Sequence, residues 1–100
     1  MYRFIRTATC KNAVDQGPAL KFAGEISAYL NKVYSLNVKC GIELFAKGRV
    51  HWHFDIDSID KGTAINAKLL QDREYAGMLE KTRALFVEGS LKDTILTLVG

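Results

Sequence analysis

Val38-Lys39-Cys40-Gly41-Ile42-Glu43-Leu44-Phe45 and Val50-His51-Trp52-His53-Phe54-Asp55-Ile56-Asp57, linked by Ala46-Lys47-Gly48-Arg49, carry the pattern that decides the fold. Both segments alternate at the strand period, so each reads as a strand with two chemically different faces. In the second, Val50, Trp52, Phe54 and Ile56 share one face, and His51, His53, Asp55 and Asp57 share the other. The parity of the link is therefore decisive. A loop of even length sets Leu44 against His51 and mixes apolar with charged residues on both faces. Taking Ala46-Lys47-Gly48 as the loop sorts them, with Leu44, Ile42, Cys40 and Val38 opposite Val50, Trp52, Phe54 and Ile56. Glu43 then opposes His51, Gly41 opposes His53 and Lys39 opposes Asp55. Gly48 takes the left-handed position that three-residue hairpin loops favour, and the segregation of faces fixes the register.

Working outward, Tyr2 to Cys10 is rich in β-branched and aromatic residues and reads as a first strand, followed by a loop from Lys11 to Gly17. Pro18 suits the first turn of a helix, and Ala19, Phe22, Ala23, Ile26, Leu30 and Val33 recur at helical spacing to give one apolar stripe. Ser35 to Asn37 ends that helix. On the other side of the hairpin, a helical region follows Ser58 to Lys61 in two pieces, one with Ile65 and Leu69 and one with Ala76, Leu79, Arg83 and Phe86. Asp72 suits the N-cap of the second piece. Val87-Glu88-Gly89-Ser90 breaks the helix, and Leu91 to Val99 reads as a last strand.

This order is β-α-β-β-α-β, the ferredoxin-like arrangement of the α+β class. Right-handed crossovers give a four-stranded antiparallel sheet in the order 4-1-3-2 with the helices on one face. A chain of 100 residues buries only about 60–70% of its unfolded surface, which supports one core, so residues 1–100 are expected to form a single domain. Cys10 and Cys40 fall on strands one and two, two strand spacings apart in this order, too far for a disulfide.

Composition excludes several classes. A hydrophobic content of 48% with 25% charged residues is that of an ordinary globular chain. The longest uncharged apolar run, Thr94 to Gly100, is far short of the roughly 18–20 residues of a membrane helix. The amino terminus alternates like a strand and shows no signal peptide, so a cytoplasmic location is the default expectation. The net charge of +3 is spread among eleven acidic residues and argues weakly for nucleic acid. Lys47-Gly48-Arg49-Val50-His51-Trp52-His53-Phe54 begins and ends like the third strand of an RNA-recognition motif. Arg49 and His51, however, stand where its stacking aromatics belong, so neither nucleic acid nor a membrane is an expected partner.

The run Leu69-Leu70-Gln71-Asp72-Arg73-Glu74-Tyr75, with Leu85-Phe86-Val87-Glu88-Gly89-Ser90-Leu91-Lys92-Asp93-Thr94 and Arg49-Val50-His51-Trp52, resembles uncharacterised members of the dimeric α/β-barrel superfamily. The resemblance implies a homodimer in which two sheets pack face to face. The residues agree, since Phe4 and Ile5 on strand one and Ile95, Leu96 and Leu98 on strand four are apolar in both registers and call for cover on both faces. The superfamily includes cofactor-independent monooxygenases, polyketide cyclases, isomerases and haem enzymes, so the resemblance implies no single reaction.

Two groups of residues carry chemistry. His51, His53 and Asp55 form a polar stripe on the third strand, with Glu43 beside it. A histidine with a carboxylate partner is a candidate acid–base group, so His51 and His53 are the catalytic candidates. Glu43, Asp55 and the strand-one arginines Arg3 and Arg6 are candidate ligand-binding residues, although such arginines also pair with Asp55 or Asp57. The His-x-His spacing lacks enough further ligands, and no metal is assigned. Trp52, with Phe22, Phe54, Tyr75 and Phe86, is placed to line an apolar cavity between sheet and helices. No Gly-rich phosphate loop, zinc cluster or nucleophile elbow occurs, and no cofactor is expected. The expectation is a homodimer that binds a small organic molecule. The alternative is a cofactor-independent monooxygenase, cyclase or isomerase using a strand-three histidine.

Overall fold

The computed structural model describes residues 1–43 and 48–100. Four strands, β1 (Tyr2–Thr9), β2 (Lys39–Ile42), β3 (Arg49–Ile56) and β4 (Lys92–Thr97), form one antiparallel sheet in the order β2-β3-β1-β4. Three α-helices, α1 (Gln16–Tyr34), α2 (Ile59–Leu69) and α3 (Arg73–Thr82), cover one side, with short 3-10 turns at Ala13–Asp15 and Arg83–Leu85. This is the expected ferredoxin-like α+β arrangement and strand order.

The hairpin differs from expectation in register. Lys39 opposes His53, Cys40 opposes Trp52, Gly41 opposes His51 and Ile42 opposes Val50, and the Glu43 amide donates to the Arg49 carbonyl at 2.9 Å. Each partner is displaced by two residues from the pairing that a three-residue loop requires. A slip of two preserves the faces, because side chains alternate with period two, so the argument from segregation could not detect it. Val50 is opposed by Ile42, and the link between the paired residues spans 44–48, longer than the expected Ala46-Lys47-Gly48. Leu44, Phe45, Ala46 and Lys47 themselves lie outside the described residues. Gly48 has φ +71°, the left-handed conformation expected of it.

Helix α1 starts after a turn in which Asn12 and Asp15 bond each other, and Pro18 lies in its first turn. It ends at Ser35, whose left-handed φ of 54° breaks the helical path. Asn31 then brackets the entry to β2, accepting from the Val38 amide at 2.6 Å and donating to the Val38 carbonyl at 3.2 Å. Ala19 and Ala23, both fully buried, let α1 lie close on the sheet over β2 and β3, where Phe22, Ile26, Val50 and Trp52 complete the core.

The second helical layer begins earlier than the sequence pattern suggested, at Ile59, because Ser58 caps it by accepting from the Lys61 amide at 3.2 Å. Asp72 caps α3 as expected, accepting from the Tyr75 amide at 3.0 Å. Neither α2 nor α3 contains a buried residue, and every residue of β4 is exposed. One half of the sheet is therefore closed tightly by α1, and the other is roofed loosely.

Candidate functional site

Beneath the loose roof lies a cavity of about 840 Å3, partly open to solvent, between the sheet and α2 and α3. That volume lies within the roughly 300–1,000 Å3 typical of small-molecule sites. Phe22, Trp52, Phe54, Tyr75 and Phe86, the aromatics that sequence pattern directs to this layer, all line it, and Phe4 joins them from β1. Phe22 meets the Trp52 and Phe86 rings edge-on, with centroids 6.1 Å and 6.0 Å apart, which fixes one end of the wall. The Trp52 indole N–H is spent on the Ala23 carbonyl at 3.3 Å, so this ring presents an apolar face.

Two charged groups, Arg6 and Asp93, enter this wall from the sheet. Strand β1 turns Tyr2, Phe4, Arg6 and Ala8 toward the helices, and Arg6 lies directly opposite Asp93 on β4. The pair is bidentate, with Arg6 Nε 2.7 Å from Asp93 Oδ1 and Nη2 2.9 Å from Oδ2. Arg6 Nη1 donates to the Tyr75 hydroxyl at 3.2 Å. The Asp93 hydrogen bond raises the Arg6 pKa above its ordinary value, against desolvation, so the guanidinium stays charged inside an apolar wall.

The opposite face of the sheet holds the other set. Arg3, His51, His53 and Asp55 alternate onto the side away from the helices, with Glu43 beyond the end of β2. Glu43 Oε2 lies 2.6 Å from His51 Nε2. An ionised carboxylate only accepts, so Nε2 carries the proton in this bond. Glu43 also takes Arg49 Nε at 2.9 Å, and the His51 and Arg49 contacts hold it below the usual carboxylate range. Arg3 grips Asp55 at 2.8 Å and 3.2 Å, which lowers the Asp55 pKa. A shallow depression lined by Gly41, Glu43, His51 and His53 lies here. Among the described residues no group of three or more His, Cys, Asp or Glu is placed to hold a metal ion.

The sheet thus divides the candidates read from sequence. Arg6 and Trp52 line the cavity, whereas Arg3, Glu43, His51, His53 and Asp55 gather on the other side. Arg3 and Arg6 are an odd number of residues apart on one strand, which puts them on opposite faces. Residue pattern alone does not mark the Tyr75 hydroxyl or the Asp93 carboxylate as site groups. The available signal was a charged residue at position 6 on an otherwise apolar face and another at position 93 in a strand of strong β-formers.

A third cluster ties the roof to the rest. The hydroxyls of Tyr29 and Tyr34 on α1 both donate to Asp72 Oδ2, at 2.5 Å and 2.6 Å. Asp72 is pushed down to about 2, first by Tyr29, then by Tyr34 and the Tyr75 amide. Tyr34 is correspondingly pushed up to about 12, and Tyr29 is raised further. The start of α3 is therefore held from two sides, by α1 through Asp72 and by β1 through Tyr75.

No family model and no curated protein matches the sequence. Solved structures share the fold. An uncharacterised NIPSNAP domain protein from Burkholderia xenovorans superposes with a TM-score of 0.79 at 15% identity, over 99% of this chain and 95% of that one. A NIPSNAP family protein of unknown function from Agrobacterium tumefaciens gives 0.75 at 22% identity, over 96% and 86%. SnoaB, a cofactor-independent oxygenase from Streptomyces nogalater, gives 0.69 at 11% identity, over 97% and 91%. These neighbours belong to the dimeric α/β-barrel superfamily, and the chain has its ferredoxin-like fold. Among the described residues no helix is long and apolar enough to cross a membrane.

Proposed function

We propose that this chain is a cytoplasmic, homodimeric small-molecule-binding protein whose ligand occupies the cavity between the sheet and α2 and α3. The observation that carries this reading is the cavity itself, about 840 Å3 with aromatic walls and a single arginine–carboxylate pair set into them. A few polar groups in an apolar enclosure fix the orientation of a ligand that burial holds. Arg6, Trp52, Phe4, Phe54 and Tyr75 are the binding residues in this reading. The buried free thiol of Cys10 suits a reducing compartment.

The homodimer reading rests on the face away from the helices. Ile5 sits in its middle, flanked by His53 and Thr94, and Leu96, 43% exposed, lies beside Arg3. An uncovered sheet face with apolar residues at its centre favours cover by a second copy. In that assembly Arg3, Glu43, His51, His53 and Asp55 are interface groups.

The test uses Trp52, the only tryptophan in the chain. Small aromatic and apolar compounds are titrated while its emission is followed, and gel filtration reports the assembly state. Saturable quenching in a dimer supports the reading, and a set of compounds none of which alters the emission counts against it.

A catalytic reading has one observation in its favour. Glu43 orients His51 through a 2.6 Å bond to Nε2, leaving Nδ1 available as a base. Such a base would act on a ligand held at the open face, since the sheet stands between His51 and the cavity. Conversion of a bound compound by the wild type and not by His51→Gln would favour this second reading.

A further inference from the structure

We infer that the Arg6–Asp93 pair makes the cavity selective for a ligand with an uncharged oxygen acceptor, a ketone, ester or amide carbonyl, over a carboxylate. The inference rests on the cavity being the ligand site.

A guanidinium has five N–H groups. Three are used in this structure, with Nε and one Nη2 hydrogen going to Asp93 and one Nη1 hydrogen going to Tyr75. One hydrogen on Nη1 and one on Nη2 are left for a ligand. A lone arginine in an apolar wall would select an anion, because the charge has no other counterion. Here Asp93 already supplies the counterion, through the Nε and Nη2 side of the guanidinium. A second carboxylate at Arg6 would either face Asp93 across one guanidinium, at like-charge cost, or have to displace it from an ideal fork. A carbonyl oxygen accepts one of the two remaining hydrogens with neither penalty. Lys11, Arg83 and Glu88 also border the cavity, but Arg6 is bonded to none of them, its side-chain partners being Asp93 and Tyr75.

The arrangement also holds the donor still. Asp93 is fixed by its place opposite Arg6 in the sheet, and Tyr75 by the first turn of α3, which Asp72 caps. Arg6 therefore presents its remaining hydrogens from a position fixed by three elements, which suits discrimination by geometry.

The test measures the affinity of 2-acetonaphthone and of 2-naphthoate by calorimetry at neutral pH, where the second is an anion of nearly the same shape. The ketone is expected to bind the wild type at least about tenfold more tightly than the carboxylate. Asp93→Asn leaves the charge of Arg6 uncancelled and is expected to shift the ratio toward 2-naphthoate by about tenfold or more. Tyr75→Phe keeps the counterion but frees Arg6 from α3, so it is expected to weaken the preference for the ketone without reversing it. If the wild type binds 2-naphthoate as tightly as the ketone or more so, the inference is overturned while the cavity reading stands. If neither compound binds, the cavity reading fails and the inference fails with it. Should Asp93→Asn not fold, the wild-type ratio and the Tyr75→Phe ratio still decide the question.

Discussion

Arg6 on β1 and Asp93 on β4 lie directly opposite each other and are joined by two hydrogen bonds, at 2.7 Å and 2.9 Å. Strand β4 is an edge strand with no buried residue, so little apolar packing holds it. The charge-assisted fork is the strongest side-chain tie between β4 and the sheet among the described residues. Arg6→Leu is expected to speed amide hydrogen exchange along β4 more than along β2. It is also expected to lower global stability by about 1–2 kcal/mol, the scale of a partly exposed charged hydrogen-bond pair. Equal exchange changes at both edges would show that the pair does not act locally.

Acid stability is expected to depend on Asp72. Its folded pKa is pushed from an ordinary 3.8 to about 2 by the tyrosine hydroxyls and the Tyr75 amide. A depressed carboxyl pKa stabilises the fold fully above the unfolded value and loses that contribution as pH falls through the folded value. The loss should therefore occur between about pH 4 and pH 2. Asp72→Asn removes the ionisation and should flatten that limb in denaturation curves taken at successive pH values. An unchanged limb would mean that other carboxylates dominate it.

Ala23 tests the close approach of α1. Its side chain is fully buried, and its carbonyl accepts from Ser27 Oγ at 2.7 Å and from Trp52 Nε1 at 3.3 Å. Ala23→Leu forces α1 from the sheet, with an expected cost of about 1–3 kcal/mol. Because Trp52 loses its partner as the helix moves, its emission should shift in the folded variant. A stable variant with native emission would contradict this packing.

Ile5→Glu addresses assembly. The residue lies on the open face between His53 and Thr94, away from the cavity. In the proposed dimer it becomes a buried, unpaired charge, so sedimentation should show dissociation to monomers, with Trp52 quenching by a cavity ligand retained. Dimers that persist unchanged would place the interface elsewhere.

Much of this fold is legible in residue pattern. The alternation from Val50 to Asp57 assigns both faces correctly, and Gly48 marks the turn by its positive φ. The exact partners across the hairpin are not legible, because displacing Glu43 from His51 to Arg49 leaves every side chain on its face. The Glu43–His51 bond survives that displacement as a diagonal contact, reached by a long side chain. The aromatic cavity wall could be named from spacing, since Trp52, Phe54 and Phe22 each fall on the apolar side of their element. Its empty space could not, because that follows from how far α2 and α3 stand from the sheet. The Arg6–Asp93–Tyr75 cluster joins three distant segments and becomes visible only with the strand order and register in place.

The central claim is that ligand binds on the helix side of the sheet. The direct measurement is a titration of isotope-labelled protein with 2-acetonaphthone, followed by NMR at the Arg6 Nε–H, the Trp52 indole N–H and the His51 and His53 rings. Saturable shifts at Arg6 and Trp52, with the histidine rings unmoved, are the expected result. Shifts confined to His51 and His53, or no saturable shift at any of these groups, would contradict it.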